Sequence, residues 1–286
     1  MVPPPIPLSG AVLDPSSHTL VMGIINTTPD SFSDGGLHFH CEAAVTAALQ
    51  MLDQGADILD VGGESTRPGS SPVSVEEERA RTIDVIRNIR SARPDAVISI
   101  DTRRRRVAEP AIEAGARIIN DVAGFRHDPS MIDLARETSV GVVVMHMLGE
   151  PKTMQETIQY RSFPQDIHDF FVERIHTLED RGIAPERIII DPGIGFGKTF
   201  DQNLMLINRL AFFQDLGKHI LVGASRKAFL GKILDEPVPA KRDQGTMATV
   251  TAAVLRGASI VRVHNVQAAV QTCKVADAIL REQVHT

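Results

Sequence analysis

Eight short apolar runs, rich in β-branched residues, alternate along the chain with longer segments that have the periodicity of helices. The runs are continuously apolar, which is typical of parallel strands covered on both faces. They span residues 19–25, 57–61, 96–100, 117–120, 140–145, 187–191, 219–223 and 259–263. A doubly wound sheet normally uses fewer strands, and no GxGxxG follows the first run. The pattern therefore predicts an α/β fold, a single (β/α)8 TIM barrel over residues 19–286.

Two of the intervening helices carry clear signals at their ends. Ser74 and Glu77 have the spacing of a capping box and precede an amphipathic segment. Another helix is expected to begin near Pro164 and to end at Gly182, because glycine readily adopts the left-handed conformation that ends helices. Cys273 lies on the apolar stripe of the last helical segment, so we expect it to be a small buried hydrophobe.

The first 18 residues differ in character from the rest of the chain. Prolines interrupt this segment, and it has no basic n-region, so it does not have the pattern of a secretory signal. We expect it to be a flexible N-terminal tail. The longest apolar stretch, from Val140 to Leu148, is far shorter than the roughly 20 residues that span a bilayer. We therefore expect no membrane partner and a cytoplasmic location.

Composition narrows the choice of partners. The chain has 286 residues, with 30 Lys and Arg against 36 Asp and Glu, so its formal charge is −6. This balance gives no general attraction to nucleic acid or to an anionic membrane, and any bound anion must be held locally. The two cysteines, Cys41 and Cys273, form neither a metal-ligand spacing nor a disulfide framework, as is usual in a reducing compartment.

Polar residues follow nearly every predicted strand. In a barrel of this kind the chemistry lies at the carboxyl ends of the strands. Because burying unpaired polar groups is costly, polar residues that converge there need an explanation. Any one of these residues could be a simple cap or turn residue, but the whole set predicts a functional site. The set comprises Asn26, Asp60, Asp101, Asn120, Asp121, His146, Asp191, Ser225, Arg226, Lys227, Arg262 and His264.

Two long loops after the first and second strands have the chemistry of a phosphate site. The sequences are NTTPDSFSDGG, beginning at Asn26, and GGESTRPGSSP, beginning at Gly62. Their glycines permit close backbone approach, and Thr66 and Arg67 supply hydrogen-bond donors, which suits a phosphate group that arrives and leaves as the loops move. The alternative interpretation is a pair of flexible surface loops.

Other motifs have weaker interpretations. The segment DPGIGFGK at 191–198 lacks the spacing of a P-loop, and Phe196 is better suited to offer an aromatic face. Four arginines at 103–106 are expected to form the solvated start of a helix. Met145 and Met147 are candidates either for barrel packing or for a shelf under a flat ligand.

Long ungapped motifs covering nearly the whole chain from about residue 19 resemble the dihydropteroate synthase family, the folate-pathway target of sulfonamides. They are NTTPDSFSDGG, DVGGESTRPG, SIDT, INDVAG, MHMLGEP, DPGIGFGK, GASRK and RVH. The resemblance implies that p-aminobenzoate is joined to a dihydropterin hydroxymethyl diphosphate, with Mg²⁺ as the cofactor and pyrophosphate as a product. It also implies competition by sulfonamides and a homodimer, formed through the C-terminal helices.

The resemblance also implies roles for individual residues. Those expected to bind the pterin and its diphosphate are Thr66, Asp101, Asn120, Met145, Asp191, Lys227, Arg262, Val263 and His264. Those expected to be catalytic are Asp101, Lys227, Arg262 and His264. Those expected around the aminobenzoate are Phe32, Arg67, Pro68, Phe196 and Ser225. Asn26 is expected to hold Mg²⁺, joined by Asp34. Amide and carboxylate side chains complement the N–H edge of a pterin ring, and a cationic clamp stabilises a departing diphosphate.

The chain departs from the family pattern at three positions. Asn265 replaces a common aspartate, Leu148 stands where glutamine is frequent, and Ala228 replaces a serine that in some members meets the aminobenzoate carboxylate. That carboxylate is then left to Arg226 or to the helix N-terminus. None of these departures removes a principal pterin or metal ligand, but together they leave room for an altered second substrate. The alternative function is a non-catalytic pterin-binding paralogue of the same fold. A pterin-dependent methyltransferase is disfavoured, because such an enzyme has no need of phosphate-binding loops.

Overall fold

The strands and helices alternate regularly along the chain. The computed structural model describes residues 3–28, 37–65, 69–150 and 152–283, and the side chains of 37–40 are outside this description. The strands are β1 (Ile6–Leu8), β2 (Ala11–Leu13), β3 (Leu20–Asn26), β4 (Ile58–Gly62), β5 (Val97–Asp101), β6 (Ile118–Asp121), β7 (Gly141–Met145), β8 (Ile188–Asp191), β9 (His219–Val222) and β10 (Ile260–Val263). The helices are α1 (Leu37–Asp53), α2 (Val75–Ala92), α3 (Arg105–Glu113), α4 (Ser130–Thr138), α5 (Gln165–Asp180), α6 (Phe200–Asn208), α7 (Ala228–Leu234), α8 (Asp243–Val254) and α9 (Val266–Arg281).

Strands β3 to β10 form a closed parallel barrel, in which β10 pairs with both β9 and β3. This confirms the predicted (β/α)8 TIM barrel. Outward-facing side chains of the strands pack against the surrounding helices in one large apolar cluster. The continuous apolar runs in the sequence arise because one face of each strand contacts helices and the other contacts the barrel interior.

The helix signals in the sequence have the expected structural effect. The Ser74 side chain accepts a hydrogen bond from the Glu77 backbone N–H at the start of α2. Gly182 has a φ of +87° just after α5. Cys273 is buried on α9, as predicted. Across the residues that the structure describes, none of the helices combines the length and the apolar character that crossing a membrane requires.

The N-terminal segment is not a flexible tail over the residues that form β1 and β2, and that prediction is wrong there. The two strands pair as an antiparallel hairpin. Its inward side chains join the apolar residues that fill the amino-terminal end of the barrel: Ile6, Leu8, Leu13, Leu20, Met22, Ile58, Val97, Ile118, Val143, Ile189, Leu221 and Ile260. The alternation of buried and exposed positions in IPL and AVL is too short to stand out in a sequence broken by prolines.

Two contacts fasten this hairpin beneath the barrel. His219 Nε2 donates to the Pro4 carbonyl oxygen at 2.8 Å. A Cβ on Gly141 would lie 2.7 Å from Leu8 Cδ2, so glycine at the start of β7 lets the hairpin approach closely. The hairpin therefore covers the apolar amino-terminal end of the barrel interior, and in barrels of this fold ligands bind at the carboxyl end.

Candidate active site

Interior positions change from apolar to polar toward the carboxyl ends of the strands. On β5, Val97 belongs to the apolar cluster, whereas Ser99 and Asp101 are polar at the next two inward positions. Because Gly62 pairs with Asp101 and Asp101 pairs with Asn120, these strand ends lie at one level of the barrel. Polar side chains from neighbouring strands therefore converge on one buried layer.

Arg262 is at the centre of this layer. Its Nε donates to Asp60 Oδ2 at 2.6 Å, and its Nη2 donates to Asp101 Oδ2 at 2.8 Å. Asn120 Nδ2 also donates to Asp60 Oδ2, at 3.1 Å. The structure thus brings together three residues predicted to bind the pterin, and it adds Asp60, whose position at a strand end was noted but whose role was not predicted.

Burial dominates the electrostatics of the layer. It raises the pKa of Asp101 from its ordinary 3.8 to about 8, with Asp60 adding to the rise and Arg262 opposing it. Burial alone would lower the pKa of the Arg262 guanidinium, but Asp60 and Asp101 raise it above its usual value. Arg262 therefore stays charged, and Asp101 takes up a proton at a higher pH than an ordinary aspartate does.

Asp191 lies at the end of β8, 5% exposed. Its Oδ1 accepts a hydrogen bond from the Gly193 N–H at 2.7 Å. Burial raises the pKa of Asp191 to about 6, against the effects of this N–H, Lys227 and Arg262. Gly193 has a φ of +69°, and a Cβ there would lie 2.0 Å from the His146 carbonyl oxygen, so only glycine fits.

Lys227 and Phe196, predicted for the pterin and the aminobenzoate respectively, lie against each other. The Lys227 Nζ is 3.9 Å from the centroid of the Phe196 ring, a cation–π contact. Phe196 belongs to a small apolar cluster with Val122, Met145, Met147 and Met154. The methionines thus both pack and form an apolar wall beside the polar layer.

Lys198 is a buried cation that the sequence reasoning missed. Its Nζ donates to three acceptors: His146 Nδ1 at 3.0 Å, the His146 carbonyl oxygen at 3.2 Å and the Phe196 carbonyl oxygen at 3.0 Å. Burial lowers the pKa of Lys198 to about 7, although the negative charge of Asp191 opposes this decrease. The pKa of His146 is well below its usual value because of burial and Lys198, so the ring is neutral. Glycine spacing drew attention to this motif, but no sequence pattern pointed to the lysine.

Ser225 and His264, from neighbouring strand ends, are hydrogen-bonded. The Ser225 Oγ lies 2.9 Å from His264 Nδ1 and accepts from the His264 N–H at 3.2 Å. This contact ties the predicted aminobenzoate residue to the predicted diphosphate residue.

Asn265 has a clear structural setting. Its Oδ1 accepts from the Ala268 N–H at the start of α9, and its Nδ2 donates to Asp243 Oδ2 at 3.0 Å. Arg226 donates to both oxygens of Asp243. Arg226, one of the two alternatives predicted for the aminobenzoate carboxylate, is therefore paired with Asp243 in this structure. Ala228 begins the short helix α7.

Several predicted residues lie outside the polar layer. Asp121 accepts backbone hydrogen bonds from Ala123 and Phe125 and thereby shapes its own loop. The Val263 side chain packs against α8 and α9 on the outside of the barrel, so only its backbone is placed to meet a ligand. Asn26 is partly buried at the end of β3. Phe32, Asp34, Thr66, Arg67 and Pro68 lie outside the described residues.

The arginine run is only partly solvated, which corrects the prediction. Arg104 pairs with Glu78 at 2.5 Å and with Glu64 at 2.9 Å, and Arg103 lies 3.5 Å from Glu64. Arg106 is exposed as expected. Glu64, from the GGEST motif, is therefore held by the loop after β5, which stabilises the stem of the second predicted phosphate loop.

The fold and the site together define a class of protein: a barrel enzyme whose carboxyl-terminal mouth presents carboxylates, an amide and two cations to a polar, flat ligand beside an aromatic wall. Comparison with known proteins refines this class. Residues 22–264 match the family described as "Pterin binding enzyme". The chain is 46% identical over 279 residues to the dihydropteroate synthase of Synechocystis sp., covering 98% of this chain and 96% of that protein.

Solved structures agree with this result. Xanthomonas albilineans dihydropteroate synthase with 4-aminobenzoic acid has a TM-score of 0.90 at 41% identity, covering 97% of this chain and 98% of that one. The Yersinia pestis dihydropteroate synthase with a sulfonamide drug has a TM-score of 0.90 at 38% identity, covering 96% and 98%. The chain belongs to the dihydropteroate synthase family of pterin-binding enzymes.

Proposed function

We propose that this protein joins the methylene carbon of a dihydropterin methyl diphosphate to the amino group of 4-aminobenzoate, giving dihydropteroate and pyrophosphate. The observation that carries the proposal is the buried layer in which Arg262 bridges Asp60 and Asp101 next to Asn120. A layer of this composition is costly to bury unless it binds a ligand with a complementary polar edge. Family membership supports the same function.

The pterin ring is assigned to the polar layer. Its N–H groups would donate to Asp101 and Asp191, and Asn120 would complete the edge. Lys227 would donate to the ring carbonyl while its charge balances Asp191, whose pKa it lowers. The guanidinium of Arg262 is planar, so it would stack on the ring as well as hold charge.

The diphosphate is assigned to the mouth of the barrel. Arg262 lies on β10 and His264 directly follows this strand, and Thr66 would contribute from the loop after β4. A cationic clamp stabilises the negative charge that develops on a departing pyrophosphate. The hydrogen bond between Ser225 and His264 Nδ1 orients the imidazole for this role.

Mg²⁺ is proposed as the cofactor, held by Asn26 and joined by Asp34. The side-chain oxygen of Asn26 at the rim is a hard donor, and Mg²⁺ commonly takes few protein ligands together with phosphate oxygens and water. Within the described residues no group of three or more His, Cys, Asp and Glu could hold a metal by itself, which fits an ion held jointly by substrate and protein. Mg²⁺ would supply charge neutralisation on the diphosphate.

The aminobenzoate is assigned to the apolar wall that contains Phe196. Phe196 and Lys227 form its described side, and Ser225 is buried two residues before Lys227 in the chain. Phe32, Arg67 and Pro68 would complete the pocket from the two loops. Sulfonamides, which resemble the aminobenzoate, would compete for the same place.

A dissociative displacement suits this arrangement. Positive charge that develops on the methylene carbon can spread into the electron-rich ring, so the C–O bond to pyrophosphate would break before the weakly nucleophilic aniline nitrogen attacks. The new C–N bond then forms with loss of one amine proton to solvent or pyrophosphate. No covalent enzyme intermediate is required. Trapping of a pterin species without aminobenzoate would support this order, whereas strict dependence of pyrophosphate release on aminobenzoate would count against it.

A homodimer through the C-terminal helices is also proposed. Val275, Ile279 and Leu280 are more than half exposed on α9. A groove of about 400 Å³ lies beside them, lined from α8 and α9 by Thr251, Ala268, Gln271, Thr272 and Val275. Sedimentation of the purified chain tests this assembly, and a cytoplasmic location stays a prediction.

Product formation tests the proposed function. Pyrophosphate release from the dihydropterin diphosphate is measured with and without 4-aminobenzoate, in Mg²⁺ or in chelator, while pterin binding is followed in parallel. Formation of dihydropteroate that needs Mg²⁺ is the expected result. Tight pterin binding without product would contradict it and would favour the non-catalytic paralogue, with Asn265 and Ala228 as the first positions to restore.

A further inference from the structure

Asp60 lies one inward-facing position deeper in the barrel than the residues assigned to the pterin. It pairs in register with Ser99, two residues before Asp101 on the neighbouring strand. Its side chain is 0% exposed, compared with 11% for Asp101 and 21% for Arg262. A ligand in the mouth of the barrel therefore reaches Asp101 and Arg262, whereas Asp60 is covered by them.

A single oxygen of Asp60 holds two of the assigned ligands. Oδ2 accepts from Arg262 Nε at 2.6 Å and from Asn120 Nδ2 at 3.1 Å. Charge-assisted hydrogen bonds of this length are among the stronger ones in proteins. Because the two donors come from β10 and β6, Asp60 fixes the distance between opposite parts of the site.

The second anchor of Arg262 is different in kind. Asp101 accepts from Arg262 Nη2 through Oδ2, and the same carboxylate is assigned to the N–H edge of the pterin. When a ring donates to Asp101, that carboxylate must share its lone pairs between the ligand and the guanidinium. The contact with Asp60 is the one that a ligand cannot reach.

We propose that Asp60 is a positioning residue of the pterin site, which keeps Arg262 and Asn120 in their binding positions while the ligand engages Asp101. It does not touch the substrate. The other oxygen, Oδ1, is buried with no hydrogen-bond partner among the described residues, so Asp60 is kept at this depth at a cost in stability, and its effect on the site explains that cost. The inference rests on the proposed pterin ligand.

The substitution Asp60→Asn tests the proposal in the full-length chain. It removes the charge while nearly preserving shape, so the contact between Asp60 and Arg262 changes from an ion pair to a weaker hydrogen bond that the asparagine oxygen accepts. We expect the affinity for the dihydropterin diphosphate to fall roughly 10- to 100-fold, with the KM for 4-aminobenzoate unchanged. Direct calorimetric titration and steady-state kinetics measure the two quantities.

Ser99→Ala is the matched control. Ser99 is equally buried, occupies the same level of the barrel on the adjacent strand, and its Oγ also has no hydrogen-bond partner in the described part of the chain. This variant should bind the dihydropterin diphosphate like the unmodified protein. If Ser99→Ala weakened binding as much as Asp60→Asn, the effect would be general to this layer and the proposal would be overturned.

A double-mutant cycle separates positioning from a general structural effect. In an Arg262→Ala background, Asp60→Asn should have little further effect on pterin affinity, because Asp60 then has lost its main partner. Full additivity of the two substitutions would contradict the proposal.

A structure of the unmodified protein with a bound pterin provides a test that needs no variant. Arg262 Nε should stay within hydrogen-bond distance of Asp60 in that complex, and departure of Arg262 from Asp60 would overturn the proposal. Failure of the unmodified protein to bind pterin would instead overturn the proposed function. If the unmodified protein bound pterin and the Asp60→Asn variant bound it equally well, only the positioning role would be overturned.

Discussion

The two ends of the barrel interior are built from the same strands but differ in the polarity of their inward side chains. At the amino-terminal end, inward side chains such as Met22, Ile58 and Ile189 are apolar and fully buried under the hairpin. At the carboxyl end, Asp60, Ser99 and other polar groups occupy the next positions on the same strands. One end therefore supplies stability through burial, and the other sacrifices stability for a binding site.

Two observations show that the carboxyl end is not optimised for stability. Asp60 Oδ1 and Ser99 Oγ are buried, and none of the residues that the structure describes forms a hydrogen bond with them. The pKa of Asp101 is raised to about 8 and that of Asp191 to about 6, in each case chiefly by burial. Groups that are costly to bury and perturbed in this way cluster at functional sites. Variants at the two ends should therefore separate stability from ligand binding.

The largest effect is expected from the hairpin. Ile6→Ala removes a 0% exposed side chain from the apolar cluster, so the free energy of unfolding should fall by about 2–5 kcal/mol. Pterin affinity of the folded protein should not change. Urea unfolding measures the first quantity and titration the second. Val12→Ala, at a 66% exposed position of the same hairpin, is the control and should be nearly neutral. Equal, small effects of both would mean that the hairpin does not seal the barrel.

Two buried lysines, one at each end, sharpen the comparison. Lys198→Met leaves acceptors on His146 and Phe196 without a donor, which should cost about 1–3 kcal/mol of stability and raise the KM for 4-aminobenzoate, because Phe196 loses its anchor. Lys218, at the amino-terminal end, donates to Glu179 and to the Pro185 carbonyl oxygen. Lys218→Met should lower stability without changing the KM for 4-aminobenzoate or the KM for the dihydropterin diphosphate. A raised KM in both variants would contradict the separation.

The smallest expected effect is a dependence on pH. The pKa of Asp101 rises from 3.8 to about 8 on folding, mainly through burial and the charge of Asp60, so the folded protein holds a proton that the unfolded chain releases in this interval. Stability from this group is thus greatest at low pH and is lost as the pH rises toward 8. Asp101→Asn has no such proton. Its stability relative to the unmodified protein should increase between about pH 4 and pH 8, by a fraction of the about 1.4 kcal/mol per pH unit that one proton gives.

Unfolding curves of the two proteins at several pH values measure this difference. A relative stability that decreases over the same range would show that Asp101 is held in its charged form by Arg262 and that burial is not the dominant effect.

The barrel and much of its site were predictable, because the signals are local. Each barrel strand is one apolar run, and the residue that ends it, such as Asp101 or Asp191, lies at the carboxyl rim by the geometry of the fold. The resemblance to a family then linked those residues to a pterin. The pairing of Arg262 with Asp101 could not be predicted, since it joins residues 161 positions apart.

Features that depend on contacts between distant segments were missed. The hairpin gains its stability only against the closed barrel, so its two strands of three residues have no signal of their own. In the sequence, Lys198 looks like an exposed lysine at the end of a glycine-rich loop. Its burial depends on the contact of this loop with His146. Asn265 was noted only as a departure from a pattern, and its hydrogen bond to Asp243 depends on the position of α8.

The most direct test of the account is calorimetric titration of Asp191→Asn with the dihydropterin diphosphate, together with urea unfolding of the same protein. The asparagine oxygen can still accept from the Gly193 N–H, so stability should change by no more than about 1 kcal/mol. Loss of the carboxylate should weaken pterin affinity roughly 10- to 100-fold. Unchanged affinity would contradict the assignment of the polar layer as the pterin site.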